Sequence, residues 1–267
     1  MLRFIPKKPA LLAGRILVLA DLHIGIEHEM FDKGVRVHSP SGAMLSEVIS
    51  LINEYGPELL VLLGDVKHNI PSMPPEEMSD VRNFFDTVAS KLPIVITPGN
   101  HDGNIKRLLG KDGITVSPSS GAVIDGFGFF HGNAWPSPEV MAQKSIITAH
   151  GHPCVEILDP VGGRHVLKAW CIGKLSKNAL ERYPNANLSA KVVIAPAFNP
   201  LISGAVVNRS PPEGALGPLL SNKIFKLEQS QVYLLDGTPL GKASNLLPKG
   251  GRGLGGIRWE QEEAVKS

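Results

Sequence analysis

Three short apolar runs in the first hundred residues each end in an acidic or imidazole side chain, and this punctuation constrains the fold more than any other feature. Arg15 to Ala20 (RILVLA) runs into Asp21-Leu22-His23, and Glu58 to Leu63 (ELLVLL) runs into Gly64-Asp65. Pro93 to Thr97 (PIVIT) runs, through Pro98, into Gly99-Asn100-His101-Asp102. The runs are too short and too closely bounded by Gly, Pro and Asp for helices, so they read as strands. Between the first two, Leu45, Val48, Ile49 and Ile52 recur at i, i+3, i+4, i+7, and Gly56-Pro57 stops the pattern, which predicts a helix over 41–55. Met78, Val81, Phe84, Phe85 and Val88 repeat that spacing before the third run. A β-α-β-α-β series implies a mainly parallel sheet whose ligands gather outside the carboxyl ends of the strands.

Beyond residue 110 the spacing tightens into short strands: Ile114 to Val116, Ala122 to Ile124, Phe127 to Phe130, Ser145 to Thr148, Val166 to Cys171 and Val192 to Ala195. These predict a second, more mixed sheet. Asp125-Gly126 between two apolar runs is a two-residue hairpin signal that requires positive φ. A helix is expected over Leu175 to Arg182, and a last hairpin from Ile224 to Leu227 and Val232 to Leu235. From Gly241 the chain reads as a flexible Gly-rich tail, giving a domain over 1–240 and a tail over 241–267.

A chain of 267 residues with 43% hydrophobic and 19% charged content can bury a proper core as one large α/β domain. The net charge of +2 is too small to attract nucleic acid or membranes through the overall field, so any basic patch must be local. Two cysteines, Cys154 and Cys171, are too few for a disulfide framework and fit a reducing compartment. Arg15 interrupts the apolar start, and no run reaches the roughly 18 apolar residues of a membrane helix. The expectation is a cytoplasmic protein without a membrane partner.

Two more strand ends carry imidazoles: His131 closes FGFF, and His150-Gly151-His152 follows SIITA. A lone DLH or GD is usually a turn, but five of the nine histidines sit in these few motifs, each after a strand. Asp21, Asp65, the Asn100 oxygen and the imidazoles of His23, His131, His150 and His152 form a mixed oxygen and nitrogen set. Such a set suits Mn²⁺, Fe, Ni or Zn²⁺ better than an all-oxygen Mg²⁺ or Ca²⁺ site, and the ligand count fits two ions.

In order and type these motifs resemble the calcineurin-like metallophosphoesterase superfamily, whose signature runs DxH, GDxx, GNH[DE], H, GHxH. The fifth block departs, with Ala149 where the family usually has glycine. GDVKH at 64–68, DLHIGIE at 21–27 and PAFNPLISG at 196–204 resemble the prokaryotic branch that includes the DNA-ligase-associated endonuclease of bacteria, a link to DNA repair. The resemblance implies a four-layer α/β sandwich, two mixed sheets face to face with helices outside. It places one divalent ion on Asp21, His23 and His152 and another on Asn100, His131 and His150, with Asp65 bridging them and Mn²⁺ the first choice of metal. It implies hydrolysis of phosphate esters, with a metal-bridging hydroxide as nucleophile. His101 would stabilise phosphoryl charge or protonate the leaving oxygen, with Asp102 fixing its ring.

The substrate expected on this reading is a phosphodiester of nucleic acid, single-stranded nucleic acid included, or of nucleotides. The interval of 19 positions from His131 to His150 leaves no room for a cap domain and favours an open site. The rivals are a phosphomonoesterase acting on a small phosphorylated metabolite and a non-catalytic scaffold of the same fold. Lys67 and His68, beside Asp65, and Trp135, shortly after His131, are candidate substrate contacts, the last by base stacking. The segment holding Glu27, His28 and His38 reads as an exposed loop, with part of a substrate wall as the alternative, PAFNPLISG as a loop supporting the site, and Cys154 as an inert buried thiol.

Overall fold

A computed structural model of the chain describes residues 1–69, 74–109, 113–159, 161–209, 217–246 and 257–258. The first sheet holds β1 (Leu2–Phe4), β2 (Leu11–Ala13), β3 (Ile16–Ala20), β4 (Leu59–Leu63), β5 (Ile94–Ile96) and β6 (Ile114–Val116), in that spatial order. From β3 to β6 all pairings are parallel, as the strand and helix alternation requires, while β1 and β2 add antiparallel strands at one edge. Helices α1 (Ile26–Asp32), α2 (Ser41–Tyr55), α3 (Pro75–Ala89) and α4 (Ile105–Leu109) lie in the connections. Gly56 ends α2 in the left-handed conformation at φ 56°, its amide donating to the Ile52 carbonyl. Pro75 opens α3, followed by Glu76 and Glu77 in the first turn.

The second sheet is built from β7 (Ala122–Ile124), β8 (Phe127–Phe129), β9 (Ser145–Thr148), β10 (Cys154–Leu158), β11 (Arg164–Gly173), β12 (Lys191–Ile194), β13 (Gln231–Leu234), β14 (Pro239–Lys242) and β15 (Ile257–Arg258). Its main path runs β14-β13-β11-β12-β9-β8-β7, with β10 pairing the first half of β11 and β15 pairing β10. Short helices α5 (Pro138–Met141), α6 (Ala179–Arg182) and α7 (Gly217–Ser221) accompany it.

Side-chain alternation along the strands explains the layering. Leu17, Leu19, Leu60, Leu62, Ile94 and Ile96 face outward onto Val48, Leu51, Val81, Phe84 and Phe85 of α2 and α3. Val18, Ala20, Val61 and Leu63 face inward and meet Phe129, Ile147, Trp170 and Val193 of the second sheet. On that sheet's outer side, Ile146, Cys171, Val192 and Val232 pack against Val140, Ala179 and Leu219 of α5, α6 and α7. Three apolar layers between four structural layers make the αββα sandwich. Among the described residues no helix is long and apolar enough to cross a membrane.

Four sequence expectations need correction. The strand at Ile114 belongs to the first sheet, because its β-branched run pairs in parallel with β5. The helix expected over Leu175 to Arg182 shrinks to α6, since Leu175 forms a bridge with Phe225 instead. The last hairpin joins β13 to β14, and Leu227–Gln229 is a 3-10 turn. The tail boundary at 241 falls too early, because Gly241 pairs with Val232 and Ala243–Asn245 forms a further 3-10 turn. Residues 247–256 and 259–267 of that tail lie outside the described residues. The Asp125-Gly126 turn behaves as its chemistry demands, with φ of 50° and 76°.

Candidate metal centre

Three of the five strand-end motifs turn sharply as they leave their sheets. Asp21, His23, Asp65, His150 and His152 all adopt positive φ, between 39° and 67°. Side chains other than glycine pay about 1–3 kcal/mol for such a conformation, so the surroundings must over-determine it. The Asp21 amide donates to Gly64 O at 3.2 Å and the His23 amide to Asp65 O at 2.8 Å, tying the first turn to the second. From the other side Asn199 Nδ2 donates to Leu22 O at 2.7 Å and to His23 O at 3.2 Å, and the Phe198 amide donates to Ala20 O at 2.7 Å. PAFNPLISG therefore supports the site as its sequence position suggested. Lys168 anchors that segment in turn, its ammonium donating to Ala197 O and Asn199 O.

Two glycines are fixed by close approach. A Cβ on Gly64, itself at φ 63°, would stand 2.5 Å from His131 Nδ1, and one on Gly99 would stand 2.2 Å from Asp65 Oδ1. Ala149, the departure from the family motif, has no such constraint. It avoids positive φ and packs in the layer between the sheets.

The side chains so positioned form two groups that share one carboxylate. Ligand atoms of Asp21, His23, Asp65 and His152 lie within 4.8 Å of one another, and so do those of Asp65, His131 and His150. His23 Nε2 and His131 Nε2 lie 3.6 and 3.4 Å from Asp65 Oδ2, and His131 Nε2 lies 3.2 Å from His150 Nδ1. His131 Nδ1 donates to the Leu63 carbonyl at 2.7 Å, so Nε2 is the ring atom turned toward Asp65 and His150. Asn100 sits in the loop between β5 and α4, exposed, between the Gly99 amide bonded to Asp102 and the His101 amide bonded to Asp65.

Burial sets the electrostatics, and the neighbours decide the sign. Asp21 is fully buried; burial would raise its pKa, but His152 and His131 hold the carboxyl below its usual range. Asp65 is lowered too, with His131 and His23 outweighing its burial. His131 is raised to about 9 because its bond to Asp65 and the charge of Asp21 overcome desolvation. Burial drives His23 down to about 3 and His150 to about 4. Asp21 Oδ2 and His23 Nε2 are buried without a hydrogen-bond partner, and Asp21 Oδ1 has only His152 Nε2, at 3.2 Å, facing it. Such orphans are costly unless a cation satisfies them, and convergent carboxylate and imidazole donors fit divalent metal ions.

A third group joins His23 to His68 and His101. His68 Nδ1 lies 3.1 Å from His23 Nδ1, its Nε2 pairs with Glu29, and its ring stacks on His101 at 5.3 Å. His68 thus sits at the centre, whereas the other two candidate substrate contacts do not. Lys67 is buried and its ammonium donates to Asn69 O at 2.8 Å. Trp135 packs on the outer core of the second sheet, with Arg182 4.0 Å above its ring. That guanidinium covers a face a base would need. Asp102 also differs from expectation. Its carboxylate accepts from the Val66 amide at 2.9 Å and the Gly99 amide at 2.9 Å, joining two ligand loops, while His101 Nδ1 donates to the His68 carbonyl.

Sequence reasoning missed Glu29 and Glu77. The segment read as an exposed loop begins as helix α1, which brings Glu29 to His68, and only its later part, with His38, is the exposed loop expected. Glu77, fully buried in α3, accepts from the His68 and Asn69 amides at 3.0 Å each. An acid in a first helical turn gives no sign that it will reach another loop.

A family model described as calcineurin-like phosphoesterase matches residues 14–229. A curated relative, uncharacterized protein R555 of Acanthamoeba polyphaga mimivirus, is 32% identical over 79 residues, which is 30% of this chain and 5% of that protein's length. The crystal structure of Pseudomonas putida nuclease MPE superposes with a TM-score of 0.55 at 21% identity, over 90% of this chain and 100% of that one. The E. coli phosphoesterase Yfce aligns over 54% of this chain and 72% of its own, at 19% identity and a TM-score of 0.34.

Proposed function

The chain belongs to the calcineurin-like phosphoesterase family, and on that premise we propose that it is a metal-dependent phosphoric ester hydrolase that cleaves phosphodiester bonds in nucleic acid or nucleotides. The observation that carries the reading is the position of Asp65, whose carboxylate belongs to both ligand groups. On this reading Asp21, His23 and His152 would hold one divalent ion, Asn100, His131 and His150 would hold a second, and Asp65 would serve both, with Mn²⁺ the first metal to test. When bound, such a pair neutralises phosphoryl charge and activates water for in-line displacement.

The protein supplies the rest. His101 Nδ1 is spent on the His68 carbonyl, so Nε2 is the atom that meets the phosphoryl group and gives a proton to the leaving oxygen. Asp102 fixes the loops on either side of Asp65. His68, held by Glu29 and stacked on His101, supplies a second imidazole edge for the substrate. Support for a diester comes from the short His131 to His150 connection, which adds no cap over the strand ends, and from the likeness in fold to a solved nuclease.

The test compares rates on single-stranded DNA, RNA, bis-p-nitrophenyl phosphate and p-nitrophenyl phosphate with Mn²⁺ present. Faster turnover of the diesters is expected. Good hydrolysis of p-nitrophenyl phosphate with bis-p-nitrophenyl phosphate and single-stranded DNA left intact would replace this reading with a monoesterase.

A further inference from the structure

At the end of the second sheet opposite the metal centre, a cavity of about 700 Å³ is lined by Lys174, Lys191, Lys226 and Lys242. Strand register places them. Lys191 opens β12 beside Ser145, the first residue of β9, whereas His150 comes after the last. Ile172 pairs with Gln231, and Gln231 with Lys242, so this row projects from one face of β11, β13 and β14. Lys174 directly follows β11, and Lys226 precedes the 3-10 turn at Leu227. Four lysines from separate segments therefore line one concavity, with Lys191 Nζ 6.0 Å from the centre of the Phe4 ring.

No carboxylate lines the cavity, and none of the four lysines forms an ion pair among the described residues. With a net charge of only +2 in the whole chain, this concentration is local. Like charges gathered round a concavity repel one another and focus the field on an anion. The remaining lining adds neutral side-chain amides, Gln229 and Gln231, and an apolar wall from Ile172 and Leu175. Its volume lies in the small-molecule range of about 300–1,000 Å³. No aromatic side chain lines it, whereas surfaces that track a single strand combine charge with stacking rings.

We infer that this cavity is a second, non-catalytic site that binds a nucleoside polyphosphate. Its phosphates lie among the lysine ammoniums and its base against Ile172 and Leu175. The test is calorimetric titration of the metal-loaded full chain with a non-hydrolysable ATP analogue, tripolyphosphate and a single-stranded oligonucleotide. Wild type is compared with a Lys191→Gln/Lys226→Gln variant, with Asp65→Asn and with His101→Ala. The expected result is saturable binding of the analogue, displaced by tripolyphosphate, weakened by about tenfold or more in the lysine variant and kept in His101→Ala and Asp65→Asn. Turnover of bis-p-nitrophenyl phosphate by the lysine variant should match wild type, which shows that it is folded. No saturable binding, equal affinity in the lysine variant, loss in both metal-centre variants, or binding of the oligonucleotide alone would each overturn the assignment.

Discussion

The backbone amide of His101 donates a 2.8 Å hydrogen bond to Oδ1 of Asp65. The carboxylate shared by both ligand groups and the histidine assigned to the phosphoryl group are therefore fixed to each other through the main chain. The two side chains keep separate tasks. Replacing the His101 ring leaves that amide bond in place, so His101→Ala should keep its metal content and lose about 10²- to 10⁴-fold in turnover. Metal analysis beside single-turnover rates checks this; an emptied site or an unchanged rate contradicts it.

Gly99→Ala tests the packing behind the same carboxylate. Its Cβ would stand 2.2 Å from Asp65 Oδ1 and 2.7 Å from the Asp65 amide nitrogen, so one of the two loops must shift. The expected cost is about 1–3 kcal/mol of folding stability together with weakened metal binding. Urea unfolding and metal titration read the two effects, and a variant equal to wild type in both would show that the loops do not pack this closely.

Asn199 carries no charge but closes the first ligand turn through Leu22 O and His23 O. Asn199→Ala removes both donors while leaving every proposed ligand in place. Metal affinity should fall by about 10- to 100-fold, the usual effect of losing a partner that orients a ligand. Unaltered affinity, measured by competition with a chelating dye, would remove Asn199 from the site's support.

The legible part of this molecule is the part whose causes are local. A strand that ends in Asp21, Asp65 or Asn100, with glycine before the last two, announces its own turn, and the α2 periodicity gave the bounds 41–55 directly. The hidden part depends on partners distant in sequence. Nothing around Ile114 says which sheet it joins, and β1 and β2 are three residues each. The family resemblance gives Asp102 to the ring beside it, yet its carboxylate accepts from the amides of Val66 and Gly99, which nothing in the local sequence announces. Trp135 follows a ligand loop in the chain but packs behind it, under Arg182.

Lys168 predicts a pH effect. Burial lowers its pKa from 10.5 to about 8 in the folded chain, so between those values the unfolded chain binds more protons than the folded one. Stability attributable to this group must therefore rise as pH increases from about 8 toward 10.5, and fall as pH drops through about 8. Urea midpoints of wild type measured against Lys168→Met should diverge upward across that window. Parallel curves would mean that the ammonium is not desolvated.

The central claim is that Asp65 bridges two ions, and anomalous scattering from crystals grown with Mn²⁺ tests it most directly. The account predicts two peaks about 3.5–4 Å apart, one beside Asp21, His23 and His152 and the other beside Asn100, His131 and His150, with an Asp65 oxygen within about 2.6 Å of each. Fully loaded crystals showing a single peak, or two peaks with no ion within that distance of the Asp65 carboxylate, would contradict it.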